Sequence, residues 1–161
     1  MLSIRAATIR DVSLLHRMIR ELAEFERESH LCVIEEADLE RDGFGNDPLF
    51  RALIAEWDSQ PAGYAIFFDC YSTWIGPELY LEDLFVRPEF RGKGIGTAML
   101  AEVARIALQQ GRRAMRWEVL DWNTHAIALY RELGAEFRDP WKSVLLGNDA
   151  LRRLAEGKKN L

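Results

Sequence analysis

One run of residues constrains the fold of this chain more than any other: Tyr80-Leu81-Glu82-Asp83-Leu84-Phe85-Val86-Arg87-Pro88-Glu89-Phe90-Arg91-Gly92-Lys93-Gly94-Ile95-Gly96. Its first half is apolar and β-prone and reads as a strand. Pro88 ends that strand, because proline has no amide hydrogen to give a ladder. Glycines follow at alternate positions, and from Thr97 the pattern turns helical, with Ile95, Met99, Val103 and Ile106 on one face. A strand, a glycine loop and a helix N-terminus together aim backbone amides at a phosphate. Arg91 and Lys93 add cationic side chains for the same anion. The expected ligand bears a diphosphate, held by Arg91, Gly92, Lys93, Gly94, Ile95, Gly96 and Thr97.

Two common phosphate loops are excluded by the spelling. A P-loop needs Ser or Thr after its lysine, and Gly94 follows Lys93. A dinucleotide fingerprint begun at Gly92 needs Gly or Ala at 97, where Thr97 stands; begun at Gly94 it fails at Met99.

The rest of the chain reads as elements around this loop. Residues 2–7 form a first strand, and Thr8–Asp11 a capped turn. Val12, Leu15, Ile19 and Leu22 mark a helix ending near Phe25. The acidic segment Glu24–His30 is a loop. A short helix over Glu36–Arg41 stops at Asp42-Gly43-Phe44-Gly45, where glycine is a common terminator. Phe50–Trp57 and Ala62–Phe68 form a hairpin. Ala114–Leu120 is a further strand, and Asn123 caps a helix with Ala126, Leu129, Tyr130 and Leu133 on its face. Glu136–Arg138 and Lys142–Leu146 read as last strands, and 148–156 as a terminal helix. The expected architecture is α/β, one domain over 1–161 with a mixed sheet and helices on both faces.

Bulk properties narrow the classes. The 161 residues suffice for one ordinary core. The formal charge of −5 argues against a nucleic-acid binder, which needs a basic face. No run approaches the ~18–20 apolar residues of a membrane helix. The N-terminus lacks a signal-peptide core, and Cys32 and Cys70 form no disulfide or metal pattern. A cytoplasmic protein is expected. His16, His30 and His125 lack ligand spacing, so no metal is expected.

Arg91-Gly92-Lys93-Gly94-Ile95-Gly96 after Val86-Arg87-Pro88 resembles the pyrophosphate loop of the GNAT N-acetyltransferases, and the order of elements resembles their fold from end to end. Further stretches resemble the diamine (spermidine/spermine and thialysine-type) acetyltransferases of that superfamily. They are Glu21-Leu22-Ala23 with Phe25-Glu26, Asp42-Gly43-Phe44-Gly45, Trp74-Ile75-Gly76, Leu79-Tyr80-Leu81-Glu82-Asp83, and Tyr130. The resemblance implies a mostly antiparallel sheet with strands splayed at the acetyl-CoA site. It implies acetyl transfer from acetyl-CoA to a primary amine of a small cationic molecule, and a homodimer. Other acceptors (an amino acid, an aminoglycoside, a protein N-terminus) and a catalytically idle acyl-CoA sensor are the alternatives.

The resemblance also assigns residues. Glu82 relays the proton of the amine, which is otherwise mostly ammonium at neutral pH. Alternation puts the adjacent Asp83 on the opposite face, so one of the pair is read as structural. Tyr130 protonates the leaving thiolate. The backbones of Leu84, Phe85 and Val86 pair with the pantetheine arm, which Asn123 also meets. Glu26 matches the acidic loop in which the diamine enzymes keep carboxylates for the distal amine, and Glu28 lies in the same loop. Trp74 is a substrate contact, and Trp117 and Glu118, on the strand across from Glu82, are read as pocket walls. Ser72-Thr73 stands where the polyamine enzymes carry Asp-Pro, which removes one negative charge facing a polyamine. The apolar run Val144-Leu145-Leu146, beside Trp141, offers a strand for a two-fold interface.

Overall fold

The computed structural model describes residues 1–139 and 141–157. It divides into two compact units, one from Met1 to Glu118 and the other beginning at Val119.

The first unit is built on a five-stranded sheet in the order β1-β2-β3-β4-β5. Its strands are β1 (Leu2–Ala6), β2 (Arg51–Trp57), β3 (Gln60–Ser72), β4 (Gly76–Val86) and β5 (Ala114–Arg116). The first four pair antiparallel, and β5 pairs parallel to β4. Helices α1 (Val12–Phe25) and α2 (Glu36–Phe44) intervene between β1 and β2, and α3 (Ile95–Gln109) between β4 and β5. The hairpin is tighter than expected: Asp58 and Ser59 alone form its turn, both at positive φ (50° and 64°), which matches the twist of the flanking strands.

Each face of the sheet buries one apolar set. Leu15 and Met18 of α1 pack on Ala52, Ile54, Tyr64, Ile66 and Phe85. On the other face Met99, Val103 and Ala107 of α3 are buried, with Met99 beside Gly63 of β3. Each large side chain buried in this way contributes about 1.5–3 kcal/mol. Polar clamps fix the entry to α1. Asp11 accepts two hydrogen bonds of 2.8 Å from the Arg5 guanidinium, and its Oδ2 also accepts from the Thr8 amide.

The second unit holds α4 (Thr124–Glu132) and α5 (Asn148–Ala155). Asn123 caps α4 as expected, its Oδ1 accepting from the Ala126 amide at 3.3 Å.

Two expectations about strands are corrected. Residues 136–138 and 142–146 are not strands among the described residues. Val144 and Leu145 are more than nine-tenths exposed, and β-prone residues without a partner strand do not hold that conformation alone. The strand expected over Ala114–Leu120 shortens to Ala114–Arg116. Its ladder stops at Tyr80, two residues before β4 departs from regular pairing.

Candidate active site

That departure is a β-bulge. Ile66 of β3 pairs with Asp83 and Phe67 pairs with Leu81, so Glu82 is the extra residue on β4. Directly paired residues share a face. Asp83 therefore lies on the same face as Ile66, toward α1, and Leu81 on the other. Glu82, next to Leu81, also turns toward α1. The expectation that Asp83 opposes Glu82 is corrected: the bulge brings both carboxylates to one side.

Both line a cavity of about 660 Å³ in the first unit. Its apolar wall includes Ile19 and Leu22 of α1, Leu39 of α2 and Phe68 of β3; its acidic groups are Glu26, Glu28, Glu82 and Asp83. The sequence assigned three of these four acids to the amine site. Asp83 was missed, although the chain carries a signal for it. The buried leucines of β4 facing α3 are Leu79 and Leu81, and the next apolar residue on that side is Leu84. A switch from odd to even positions within one strand marks an inserted residue.

The electrostatics follow from crowding like charges against an apolar wall. Burial pushes the Glu82 carboxyl upward, and the nearby Glu118 adds to the rise. Burial likewise raises Glu26, with Glu28 contributing. Asp83 is pushed up to about 6, chiefly by burial and then by Glu82 and Glu26, against an opposing hydrogen bond from Tyr64. The Tyr64 hydroxyl donates that bond to Asp83 Oδ2 at 2.9 Å.

Other sequence-assigned residues stand elsewhere. Trp74 does not line this cavity; it is 82% exposed on the β3–β4 turn, where Ser72 Oγ accepts from its amide. Trp117 and Glu118 follow the end of β5, with Trp117 half-buried and Glu118 exposed. Tyr130 lies on α4 of the second unit and is 8% exposed, and burial raises its phenol.

The glycine loop meets the requirements of an anion cradle. Gly92 and Gly94 take φ of 75° and 74°, and a Cβ on either would meet no atom within 4 Å. A Cβ on Gly96 would meet only Val86 Cγ2, at 3.8 Å. The space over the loop is thus left open by the protein itself. The N-cap of α3 is the left-handed Gly94, which has no side chain with which to cap it. The first-turn amides and the positive dipole end therefore face that space. Arg91 and Lys93 are held by aromatic rings. The Arg91 guanidinium lies 4.5 Å from the Phe25 ring centre and its Nε donates to Val86 O at 2.9 Å; Lys93 Nζ lies 4.9 Å from the Trp57 ring. Beyond Tyr80, the side of β4 away from β3 has no strand partner among the described residues, and Leu84, Phe85 and Val86 lie along it.

Arg87 ties these parts together. It donates to Glu21 of α1 through Nε and Nη2 (2.8 and 2.7 Å) and to Pro61 O through Nη1.

A strand edge left unpaired beyond Tyr80, an open glycine loop at a helix N-terminus and an acid-walled cavity suit an acyltransferase of the kind that binds a coenzyme thioester. The sequence pattern of the Acetyltransferase (GNAT) family matches residues 15–135, and the chain belongs to this family. It is an N-acetyltransferase using acetyl-CoA. The chain is 44% identical to a thialysine N-epsilon-acetyltransferase of Mus musculus, covering 94% of this chain and 96% of that protein. It is 38% identical to the spermidine/spermine N(1)-acetyltransferase-like protein 1 of Homo sapiens, over 82% of this chain and 20% of that one. An integron cassette protein from the mobile metagenome of V. cholerae has the same fold, with TM-score 0.79, 21% identity, and 96% and 98% of the two chains covered.

Proposed function

We propose that the acceptor is a primary amine on a short aliphatic chain with a second cationic centre, in the class of diamines and thialysine-like amino acids. The cavity carries this reading: apolar walls suit methylene groups, and Glu26, Glu28, Glu82 and Asp83 suit ammonium groups. The names of the related proteins support it, thialysine and spermidine/spermine among them.

When bound, acetyl-CoA supplies a thioester carbonyl for the amine to attack. The first-turn amides of α3, with Gly92, Lys93, Gly94, Ile95, Gly96 and Thr97, hold its diphosphate, and Arg91 supports the loop. The main chain of Leu84, Phe85 and Val86 pairs with its pantetheine arm, and Asn123 combines that contact with its cap. A primary amine has a reference pKa of ~10.4 and arrives protonated. Glu82, its carboxyl raised by burial and by Glu118, takes that proton directly or through water. Tyr130 keeps its phenolic proton at working pH, since burial raises it, and gives it to the departing sulfur. Glu118, whose charge reaches Glu82, adds to the negative surroundings of the acceptor. Residues 1–161 act as one acetyltransferase domain, a reading supported by a family match that runs past Val119.

The test is acetyl-dependent thiol release over a panel of amines, with wild type and Glu26→Gln. Wild type should turn over diamines. In Glu26→Gln, KM for long diamines should rise by roughly fivefold, equivalent to about 1 kcal/mol of charge-assisted contact, with short monoamines unchanged. No turnover of any amine by a protein that binds acetyl-CoA would favour a sensor instead. An equal effect of Glu26→Gln on long and short amines would remove Glu26 from the acceptor site.

The protein is further read as a cytoplasmic homodimer. No helix among the described residues is long and apolar enough to cross a membrane. Cys32 and Cys70 are both free, as suits a reducing compartment. Val144 and Leu145, 91% and 92% exposed, support an apolar contact with a second copy. Light scattering at micromolar concentration should give twice the chain mass of 18.6 kDa; the monomer mass would overturn the dimer.

A further inference from the structure

We propose that Tyr64 is a positioning residue for the acceptor amine, holding the Asp83 carboxylate against the cavity wall so that it and Glu82 face the ammonium group together. The inference rests on the reading of this cavity as the acceptor site.

Three observations carry it. Tyr64 is fully buried, with its ring in the core cluster against Leu15, Met18 and Phe85, so its position is set by packing. Its ring centre lies 6.1 Å from that of Phe85, the residue paired with it across the ladder. From that fixed ring the hydroxyl reaches Asp83 Oδ2 at 2.9 Å, while Asp83 itself lines the cavity beside the bulged Glu82. A bulge leaves its residues less restrained by the ladder than regular pairs are. Asp83 keeps its pairing with Ile66, which fixes its backbone, and the phenol fixes its carboxylate beside the bulged Glu82.

The second consequence is electrostatic. The groups facing Asp83 are Tyr64 from β3, Glu82 from β4, Glu26 and Glu28 after α1, and Cys32 beyond them. Burial, Glu82 and Glu26 oppose ionisation of Asp83; the Tyr64 hydrogen bond favours it. Tyr64 therefore keeps Asp83 negatively charged at a pH where an ammonium group is to be bound. Without the hydroxyl, Asp83 ionises only at higher pH.

The experiment is a double-mutant cycle of Tyr64→Phe and Asp83→Asn, read on KM for a short diamine across pH. Tyr64→Phe keeps the ring and removes a hydrogen bond to a charged group, so kcat/KM for the amine should fall roughly tenfold or more, mainly through KM. The acid limb of its pH profile should move to higher pH. Acetyl-CoA affinity, measured by calorimetry, should match wild type and report a folded protein. The double mutant should be no worse than Asp83→Asn alone, because both changes remove one interaction. Additive losses, or an acid limb unmoved in Tyr64→Phe, would overturn the proposal. Asp83→Asn gives an independent reading that leaves the core intact: a KM for the diamine unchanged from wild type in that variant overturns it equally. If wild type acetylates no amine although it binds acetyl-CoA, the acceptor reading fails and this inference fails with it. If wild type is active and the cycle is additive, only the role of Tyr64 fails.

Discussion

Tyr130→Phe is expected to lower kcat by about 10²–10⁴-fold, the usual contribution of a positioned general acid. The substitution removes one oxygen and keeps the ring, so thermal stability and acetyl-CoA affinity should hardly change. A tyrosine that serves only as packing behaves the other way. Tyr130 is 8% exposed, so a packing role predicts that Tyr130→Phe turns over normally. Tyr130→Ala then destabilises the protein by about 3–5 kcal/mol, as other aromatic truncations do. A Tyr130→Phe enzyme within about threefold of wild-type kcat at saturating substrates, far below general-acid magnitudes, would remove the catalytic role. Slow product release can mask a chemical step. The measurement therefore includes pre-steady-state acetyl transfer.

Gly96→Ala should separate cofactor binding from folding, because the two effects have opposite signs. Gly96 is the second residue of α3, where alanine is a better helix former by up to about 1 kcal/mol. Its Cβ would meet only Val86 Cγ2 at an ordinary contact of 3.8 Å, so the fold accepts it. The same Cβ stands over the first turn of α3, where the diphosphate approaches the backbone. Displacing the diphosphate weakens one or two charge-assisted bonds, so acetyl-CoA affinity should fall roughly 10–100-fold. Melting temperature should stay level or rise. Wild-type affinity by calorimetry in a folded Gly96→Ala protein would move the diphosphate away from this loop. Gly94 is less suited to the test, since its φ of 74° makes any side chain strained in itself.

The central stretch was legible because its signals are local. A proline ends β4, glycines open the loop, and helical spacing begins at Ile95; each is written in neighbouring residues. Glu26 and Glu82 were legible through family resemblance and Glu28 through its place in the same acidic loop, and the structure gathers them around one cavity. Asp83 was misread because strict alternation was applied across a bulge. A bulge is a relation between two strands, visible only once Ile66 and Phe67 supply the register. Tyr64 was silent for the same reason: in sequence it is one aromatic in an apolar run, and its partner lies 19 residues on. The segment 142–146 shows the converse error. Its residues favour a strand, but a strand exists only where another pairs with it, and none does so among the described residues.

The bulge at Glu82 has one more consequence. Leu81 and Asp83 would be ordinary consecutive partners of Phe67 and Ile66 if Glu82 were simply left out, and every pair on either side would keep its register and its face. The pairing scheme of the sheet is therefore complete without the residue proposed to take the proton. Glu82 is a passenger in the ladder, free to be replaced without asking anything of the strands, while Asp83 and Tyr64 are woven into the frame. Changing the acid at this one position therefore leaves every strand pairing beneath it as it is.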